Sequence, residues 1–165
     1  MSNSADEQFL LAMNKHKGII YKVVNSYCQN KEERPDLAQE ILTTLWLSMD
    51  KYDDDYKFST WMYRIALNVA ISYFRKNKTR PDKVHEGLDS LITIDEITAE
   101  EDNSEDRVLL YQFIGELDSL NKAIILLYLE NESHDSIANS LGISKTNVAT
   151  RVNRVKLQLA KKFNN

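Results

Sequence analysis

One predicted helix of the sequence carries an aromatic ring, two guanidinium groups and an amide on a single face. At roughly 100° per residue, that face holds Trp61, Arg64, Asn68, Ser72 and Arg75. A different face is predicted to be core and holds Met62, Ala66, Val69 and Tyr73. An aromatic ring can stack on a base or wedge between two bases, cations follow a phosphate backbone, and an amide can read a base edge. The combination therefore suits single-stranded nucleic acid.

A second constellation, residues 135–148, has the turn chemistry of a helix-turn-helix motif. Gly142 supplies the positive φ that ends the first helix, Ile143 fills the turn, and Ser144 caps the second helix. The residues of the first helix that are predicted to pack inward are Ile137, Ala138 and Leu141. Such a motif predicts binding to duplex DNA.

The second helix of this motif separates into a buried stripe and a polar face. Within about 40° of one direction lie the predicted core residues Val148, Val152, Val155 and Leu159. Groups that can read donor and acceptor edges in a major groove lie on the opposite side, at Thr146, Thr150, Asn153 and Arg154. The flanks, where phosphates would run, hold Lys145, Arg151, Lys156 and Lys161.

Charge is distributed unevenly along the 165 residues. The net charge is −4, from 21 basic and 25 acidic residues, and by itself suggests no nucleic-acid partner. However, residues 57–80 and 136–165 each hold six basic residues and no acidic one, whereas residues 82–106 hold ten carboxylates against Lys83 alone. Two acid-free basic segments indicate contact with a polyanion at two places.

Apolar spacing places three helices in a first domain, residues 1–80. A helix is predicted at about residues 5–29, and a second begins with Pro35 in its first turn. The buried stripe of that second helix is predicted to be Leu37, Ile41, Leu42, Leu45, Trp46 and Met49. After a polar loop at residues 50–57, Ser59 or Thr60 is expected to cap a helix that runs to about Lys76.

Residues 81–105 are predicted to be an acidic linker that includes a short helix near residues 88–92. Helical spacing resumes at Asp106, breaks near Asp118 and Ser119, and continues through Leu129. A short helix at about residues 134–141 and a long one at about 145–163 complete a second domain, residues 106–165. The predicted fold is therefore all-α, with two small helical domains joined by an acidic linker.

Composition excludes several classes of protein. Four Gly and two Pro are too few for a sandwich or a barrel, and the single Cys28 rules out a disulfide framework and a Cys-rich zinc site. No apolar run approaches the roughly 20 residues that cross a bilayer, and no signal peptide is recognised at the N-terminus, so a cytoplasmic location without membrane insertion is expected. Cys28 is interpreted as a half-buried packing residue.

The motifs together resemble a bacterial RNA polymerase sigma factor of the small, two-domain, extracytoplasmic-function group. The resemblance is carried by Asp36-Leu37-Ala38-Gln39-Glu40, by Phe58 to Asn68, and by the helix-turn-helix that ends Thr150-Arg151-Val152-Asn153-Arg154. It covers about residues 5–80 and 106–162, with the motifs in the expected order. It implies a subunit that binds core RNA polymerase and directs promoter recognition, melting and transcription initiation.

The resemblance also implies roles for individual residues. Asp36, Gln39 and Glu40 would contact the clamp helices of the β′ subunit, and the loop from Tyr52 to Lys57 would hold a flipped base. The melted strand of the −10 element would be lined by Tyr56, Lys57, Trp61, Arg64, Asn68, Arg75 and Lys76. Thr150, Asn153 and Arg154 would face −35 bases. The acidic linker would thread toward the RNA exit path, and an anti-sigma factor is a further partner that such proteins often need.

Three features depart from the family pattern. Ala149 stands where a basic residue is common, and the Leu-Pro that often opens the second domain is replaced by Asp118-Ser119-Leu120. Asp53, Asp54 and Asp55 would repel phosphate, and they are too few ligands for a convincing metal site. No metal or other cofactor is predicted.

Two other classes of function are left open at this point. A helix-turn-helix regulator that never binds polymerase would explain residues 106–165 but not the faces that carry Asp36 and Trp61. A small helical enzyme is disfavoured because His16, His85 and His134 lie in three separate segments and no catalytic spacing is present. Each histidine is interpreted as a surface or capping residue, and no catalytic residue is predicted.

Overall fold

The computed structural model describes residues 2–53, 55, 57–76 and 104–164. The chain divides into two compact units between Glu101 and Asp102. Every regular element of the described residues is helical, which confirms the predicted all-α class. The predicted short helix near residues 88–92 and the linker around it lie outside the described residues.

The described residues of the first unit form three helices, and each packs against the other two. They are α1 (Ser2–Tyr27), α2 (Arg34–Ser48) and α3 (Phe58–Lys76), with single 3-10 turns at Lys31–Glu33 and Met49–Lys51. α1 departs from helical geometry at His16, where φ is −116° and ψ is 17°. Its apolar stripe continues across this bend, since the buried side chains include Phe9, Met13, Ile20, Val23 and Val24.

The α2 helix begins as predicted, with Pro35 in its first turn, where a missing N–H removes no hydrogen bond. The predicted stripe is buried at Leu37, Ile41, Leu42 and Leu45, whereas Trp46 and Met49 are only partly buried. Trp46 packs edge-on against Phe9 of α1, with ring centroids 5.0 Å apart.

The expected cap of α3 by Ser59 or Thr60 is wrong. The helix begins at Phe58, and the carbonyl of Lys57 accepts the first helical hydrogen bond, from the N–H of Trp61 at 3.1 Å. Lys57 therefore holds the N-cap position, and Thr60 is buried in the first turn. The core side of α3 consists of Met62, Tyr63, Ala66, Leu67, Ala70 and Tyr73.

Four helices occur in the described residues of the second unit, 104–164. These are α4 (Glu105–Glu116), α5 (Ser119–Leu129), α6 (His134–Leu141) and α7 (Lys145–Asn164). The side chains of Ser104, Asp118 and Ser133 cap α4, α5 and α6 by accepting hydrogen bonds from backbone N–H groups of the first turns. α7 packs on both α5 and α6, and its buried residues are Val148, Val152 and Val155.

The turn between α6 and α7 is built as the sequence predicts. Gly142 has φ 71° and ψ 34°, a left-handed conformation that favours glycine. The N–H groups of Gly142 and Ile143 both donate to the carbonyl of Ala138, at 2.9 and 3.1 Å. Ser144 caps α7, since its Oγ accepts from the N–H of Asn147 at 3.1 Å. Residues 134–164 are therefore a helix-turn-helix.

Candidate nucleic-acid interface

The polar face of α3 is open to solvent. Arg64, Asn68 and Arg75 are exposed, and no acidic residue occurs between Phe58 and Lys76. Because these three side chains are four and seven residues apart, they follow one another along a single side of the helix. Ser72, between Asn68 and Arg75, is partly buried.

Among the described residues, Trp61 belongs to an aromatic cluster with Tyr52, Phe58 and His16. Its ring centroid lies 5.2 Å from that of Tyr52 and 5.4 Å from that of Phe58. Phe58 also contacts Tyr52 and the imidazole of His16, each at 5.4 Å. The spacing of Phe58 and Trp61, one helical turn apart, indicates part of this cluster. The contacts of Tyr52 and His16 depend on how distant segments pack and are not visible in the sequence. The cluster leaves Trp61 partly buried and fixes the plane of its indole.

His16, expected to be a surface or capping residue, is partly exposed, and its imidazole packs against Phe58 of this cluster. Burial lowers the pKa of His16, and the nearby charge of Lys15 lowers it further. Cys28 also differs from expectation, since it is completely buried and its Sγ donates to the carbonyl of Asn30 at 3.1 Å. Burial raises the pKa of the Cys28 thiol, which disfavours the reactive thiolate.

The loop before α3 contributes an exposed Lys57. In the same loop the N–H of Asp55 donates to Oδ1 of Asp53 at 3.0 Å, which orders the turn. Asp54, Tyr56 and the side chain of Lys76, all singled out from the sequence, lie outside the described residues. Among the described residues, three or more His, Cys, Asp or Glu side chains nowhere come together to hold a metal ion.

The outward side of α2 combines acidic and apolar groups. Asp36 is exposed, and Gln39 and Glu40 are partly buried. Leu47, seven residues after Glu40 and hence on the same side, is 69% exposed. Gln39 Nε2 and Thr43 Oγ1, one turn apart, are buried without a hydrogen-bond partner among the described residues.

The polar face of α7 matches the predicted one. All four residues expected to meet bases are exposed: Thr146, Thr150, Asn153 and Arg154. Leu159, expected in the core, is only partly buried. As on α3, no acidic residue occurs between Lys145 and Asn164.

Three of the four residues expected at phosphates are exposed lysines. Lys145 pairs with Asp135 at 3.5 Å, and the ammonium of Lys156 lies 5.5 Å from the ring centroid of Tyr128. Lys161 lies beyond them, one residue before Lys162, which pairs with Glu116 at 2.8 Å. Because the Lys145–Asp135 pair is exposed, it is weak and easily exchanged for a phosphate.

Arg151, the fourth, is placed differently. It is partly buried, and its Nε donates to Oδ1 of Asn147 at 2.9 Å. Its Nη1 donates to Oδ1 of Asn121 on α5 at 3.1 Å. The guanidinium is thus held by two protein amides rather than presented to solvent.

Comparison with known proteins identifies these helices. The sequence matches the family model of Sigma-70 region 2 over residues 12–80, and that of Sigma-70 region 4 over residues 107–159. It is 30% identical to the ECF RNA polymerase sigma factor SigW of Bacillus subtilis over 160 residues, which cover 90% of this chain and 84% of that protein. The chain belongs to the ECF sigma factors. This sigma factor binds core RNA polymerase and promoter DNA and directs promoter recognition, melting and transcription initiation.

Other relatives and solved structures agree with this assignment. The sigma factor is 27% identical to the ECF RNA polymerase sigma-E factor of Escherichia coli K12, with 90% of this chain and 82% of that protein covered. Its fold matches the sigma factor RpoE of Bartonella quintana, solved with the anti-sigma factor NepR, with a TM-score of 0.66 at 18% identity over 96% of this chain and 95% of that one. It also matches CnrH, solved with the cytosolic domain of CnrY, with a TM-score of 0.61 at 20% identity over 94% and 87%. In the described part of the sigma factor, no helix has the length and apolar character of a membrane span.

Proposed function

We propose that the sigma factor binds its partners through three separate surfaces. The outward side of α2, with Asp36, Gln39 and Glu40, binds the β′ clamp helices of core RNA polymerase. The face of α3 captures the melted strand of the −10 element, and the face of α7 reads the −35 element. In chain order the proposed domains are residues 1–80 and 106–165, joined by a linker at residues 81–105 that enters the RNA exit path.

A single observation carries the two DNA-binding parts of the proposal. The α3 helix of the first unit and the α7 helix of the second contain no acidic residue and present hydrogen-bonding and cationic side chains opposite a buried apolar stripe. Such a face has little use in a protein with a net charge of −4 unless it meets a polyanion. Two faces of this kind, in two separate units, support contact with two promoter elements.

Melting proceeds by capture of unpaired bases. Removing a base from the stack costs a few kcal/mol, and a site that binds the unstacked base recovers that cost. Tyr52 and Phe58 hold the Trp61 indole in place before DNA arrives, so less side-chain entropy is lost when a base stacks on it. Arg64 and Arg75 follow the backbone of the same strand, and Asn68 lies between them to read a base edge. Lys57, Tyr56 and Lys76 extend this strand path.

The −35 element is read in the major groove by α7. From Thr146 to Arg154 the helix advances about 12 Å, at about 1.5 Å per residue, so these residues can contact bases at several positions along the groove. Thr150 and Asn153 lie between these ends on the same exposed face. Lys145, Lys156 and Lys161 lie at the sides, where they reach phosphates and set the register.

Polymerase binding by α2 uses charge and an apolar contact. The carboxylates of Asp36 and Glu40 suit a basic partner helix, and Leu47 adds an exposed apolar side chain at the far end of the same stripe. The sigma factor then acts in the cytoplasm as a polymerase subunit without catalysis of its own. An anti-sigma factor is a further proposed partner, since both solved neighbours were captured with a bound protein.

Transcription with purified core polymerase tests the proposal. The purified sigma factor is expected to form a holoenzyme and to give run-off transcripts from duplex promoters and from templates with a pre-melted −10 bubble. A chain that bound promoter duplex but neither joined the polymerase nor supported transcription would act as a separate helix-turn-helix regulator. That outcome would contradict the proposed roles of α2 in polymerase binding and of α3 in capture of the melted strand.

A further inference from the structure

A chain of hydrogen bonds joins the N-terminal ends of α5 and α7. Asp118, the cap of α5, accepts from the N–H of Asn121 at 2.8 Å and from its Nδ2 at 3.2 Å. Asn121 Oδ1 accepts from Arg151 Nη1 at 3.1 Å, and Arg151 Nε donates to Asn147 Oδ1 at 2.9 Å. Asn147 in turn donates its N–H to Ser144, the cap of α7, at 3.1 Å. Arg151 is the link between the two helices.

The geometry limits what else the Arg151 guanidinium can do. Hydrogen bonds at two of its three nitrogens fix the position and the plane of the group, and the side chain is partly buried between helices of one unit. Turning it outward to a phosphate would break both bonds and leave Asn121 Oδ1 without this donor. Lys156 and Lys161 are exposed and meet a phosphate at no such cost.

The apolar contacts of α7 do not by themselves fix its direction. Val148, Val152 and Val155 bury it against the unit, but burial of apolar area is non-directional and tolerates small rotations. Hydrogen bonds to base edges are far less tolerant, since they require donor–acceptor distances of about 2.7–3.2 Å. Some directional contact must therefore set the angle at which α7 enters the groove.

Given the proposed reading of the −35 element by α7, we infer that Arg151 is a positioning residue and not a phosphate contact. Its bond to Asn121 fixes α7 relative to α5. Because the angle at which α7 enters the groove is then fixed, Thr150, Asn153 and Arg154 reach the base edges in a single orientation. Asp118 contributes by holding the Asn121 amide in the orientation that presents Oδ1 to Arg151.

The two roles predict different responses to salt and to promoter sequence. Loss of a phosphate contact lowers the slope of log affinity against log salt by about 0.9 and weakens all sequences alike. Loss of a positioning contact leaves that slope unchanged. It lowers the −35 affinity ratio, which is the affinity for the wild-type −35 element divided by the affinity for a substituted one. Simple destabilisation reduces the active fraction for every DNA equally, so it leaves this ratio unchanged.

The experiment uses holoenzyme and a promoter selected by the wild-type holoenzyme from a random library. Arg151→Lys keeps the charge but loses the two-point geometry, and Asn121→Ala removes the acceptor without any change of charge. Each is expected to lower the −35 affinity ratio by about tenfold, roughly the loss of one base contact, with an unchanged salt slope. Lys161→Ala is the matched control, with a lower slope and an unchanged ratio.

Two outcomes would overturn the inference. One is that Asn121→Ala retains the wild-type ratio; the other is that Arg151→Gln lowers the slope by about 0.9 and leaves the ratio unchanged. Should the Arg151 variants fail to fold, Asn121→Ala decides alone, because it leaves the Asp118 cap of α5 in place. If the wild-type holoenzyme itself does not discriminate −35 sequences, the proposed function of α7 fails and not only this inference.

Discussion

The indole ring of Trp61 lies edge-on to the ring of Tyr52, with centroids 5.2 Å apart and planes inclined at 63°. Tyr52 ends the turn that follows α2, and Trp61 lies in the first turn of α3. Tyr52 and Trp61 thus lie at opposite ends of the loop that joins α2 to α3, and the contact between their rings holds these two ends together. Trp61 is both a structural neighbour of this loop and the aromatic group proposed to hold an unpaired base.

Replacing Trp61 by Ala is expected to impair promoter opening more than polymerase binding. Stacking of a base on an aromatic side chain contributes ~1–3 kcal/mol, so the open complex should be destabilised by about this amount. 2-Aminopurine fluorescence in the −10 element of a duplex promoter measures the effect. Trp61→Phe is the control that retains an aromatic face. A Trp61→Ala variant that opened the duplex promoter as well as the wild type would show that Trp61 does not hold an unpaired base.

Reversal of charge at Asp36 is expected to weaken binding to core polymerase. Like charges brought together at an interface cost several kcal/mol, so Asp36→Lys should lower the affinity at least about tenfold. The affinity is measured by titrating labelled sigma factor with core polymerase at two salt concentrations. Glu7→Lys, at an exposed position of α1, makes the same charge change away from α2 and should have little effect. Equal losses for both variants would remove the special role of α2.

Arg154→Ala and Lys161→Ala are expected to have different effects on DNA binding. Arg154 is proposed to meet a base edge, so its loss should lower −35 discrimination by ~1–3 kcal/mol. Lys161 is proposed to meet a phosphate, so its loss should weaken all sequences evenly and reduce the salt slope. Affinities of the holoenzyme for a set of −35 variants provide both quantities. Loss of affinity without a change of base preference in both variants would mean that the faces of α7 are wrongly assigned.

The faces of α7 could be predicted because they depend on a local repeat. Val148, Val152 and Val155 recur at helical spacing, and the turn before them needs the positive φ of Gly142, so the buried side and the helix start follow from the sequence. The residues on the exposed side are then given by the helical period, because they lie opposite the buried valines.

Contacts between distant residues could not be predicted in this way. Arg151 and Asn121 are 30 residues apart, and nothing in the spacing of either helix indicates that they meet. The same holds for His16 and Phe58, which are brought together by the packing of α1 on α3. Periodicity gives the side of a helix on which a residue lies, whereas its partner depends on how the helices cross. For this reason the sequence placed Arg151 at a phosphate and gave no sign of the rings that pack against Trp61.

Acid is expected to destabilise the first unit through His16. Burial, followed by the charge of Lys15, lowers the pKa of His16 below its usual 6.5, so the unfolded chain takes up this proton at a higher pH than the folded one. Stability is therefore complete above pH 6.5 and falls as the pH drops from there toward the folded-state pKa. The free energy of unfolding of the first unit, measured by urea titration at several pH values between 7.5 and 5.5, gives the size of the loss.

The comparison with His16→Gln isolates this contribution. The variant lacks the titrating group, so the stability of its first unit should change less over the same pH range. His134→Gln, in the second unit, removes a histidine elsewhere and should leave the pH dependence of the first unit as in the wild type. A first unit whose pH dependence were the same with and without His16 would contradict the assignment.

Two glycines with equal space around them are expected to respond in opposite directions to replacement by Ala. A Cβ at Gly142 or at Gly18 would meet no atom within 4 Å, so steric contact with neighbours plays no part at either position. Gly142 has φ +71°, where a Cβ strains the backbone, and Gly142→Ala should destabilise the second unit by about 1 kcal/mol. Gly18 lies inside α1, where Ala is the better helix former, and Gly18→Ala should stabilise the first unit by ~0.5–1 kcal/mol.

Hydrogen exchange of amides in α1 and in α7 measures each unit separately, which matters because the two units need not unfold together. Gly142→Asn provides a further check, since Asn tolerates the left-handed conformation better than Ala and should cost less. If Gly142→Ala were neutral, the turn between α6 and α7 would not depend on a left-handed residue. The start of α7 at Lys145, after its cap Ser144, would then need a different explanation, because this turn sets the first residue of the helix. The proposed placement of Thr146 in the groove depends on the same turn.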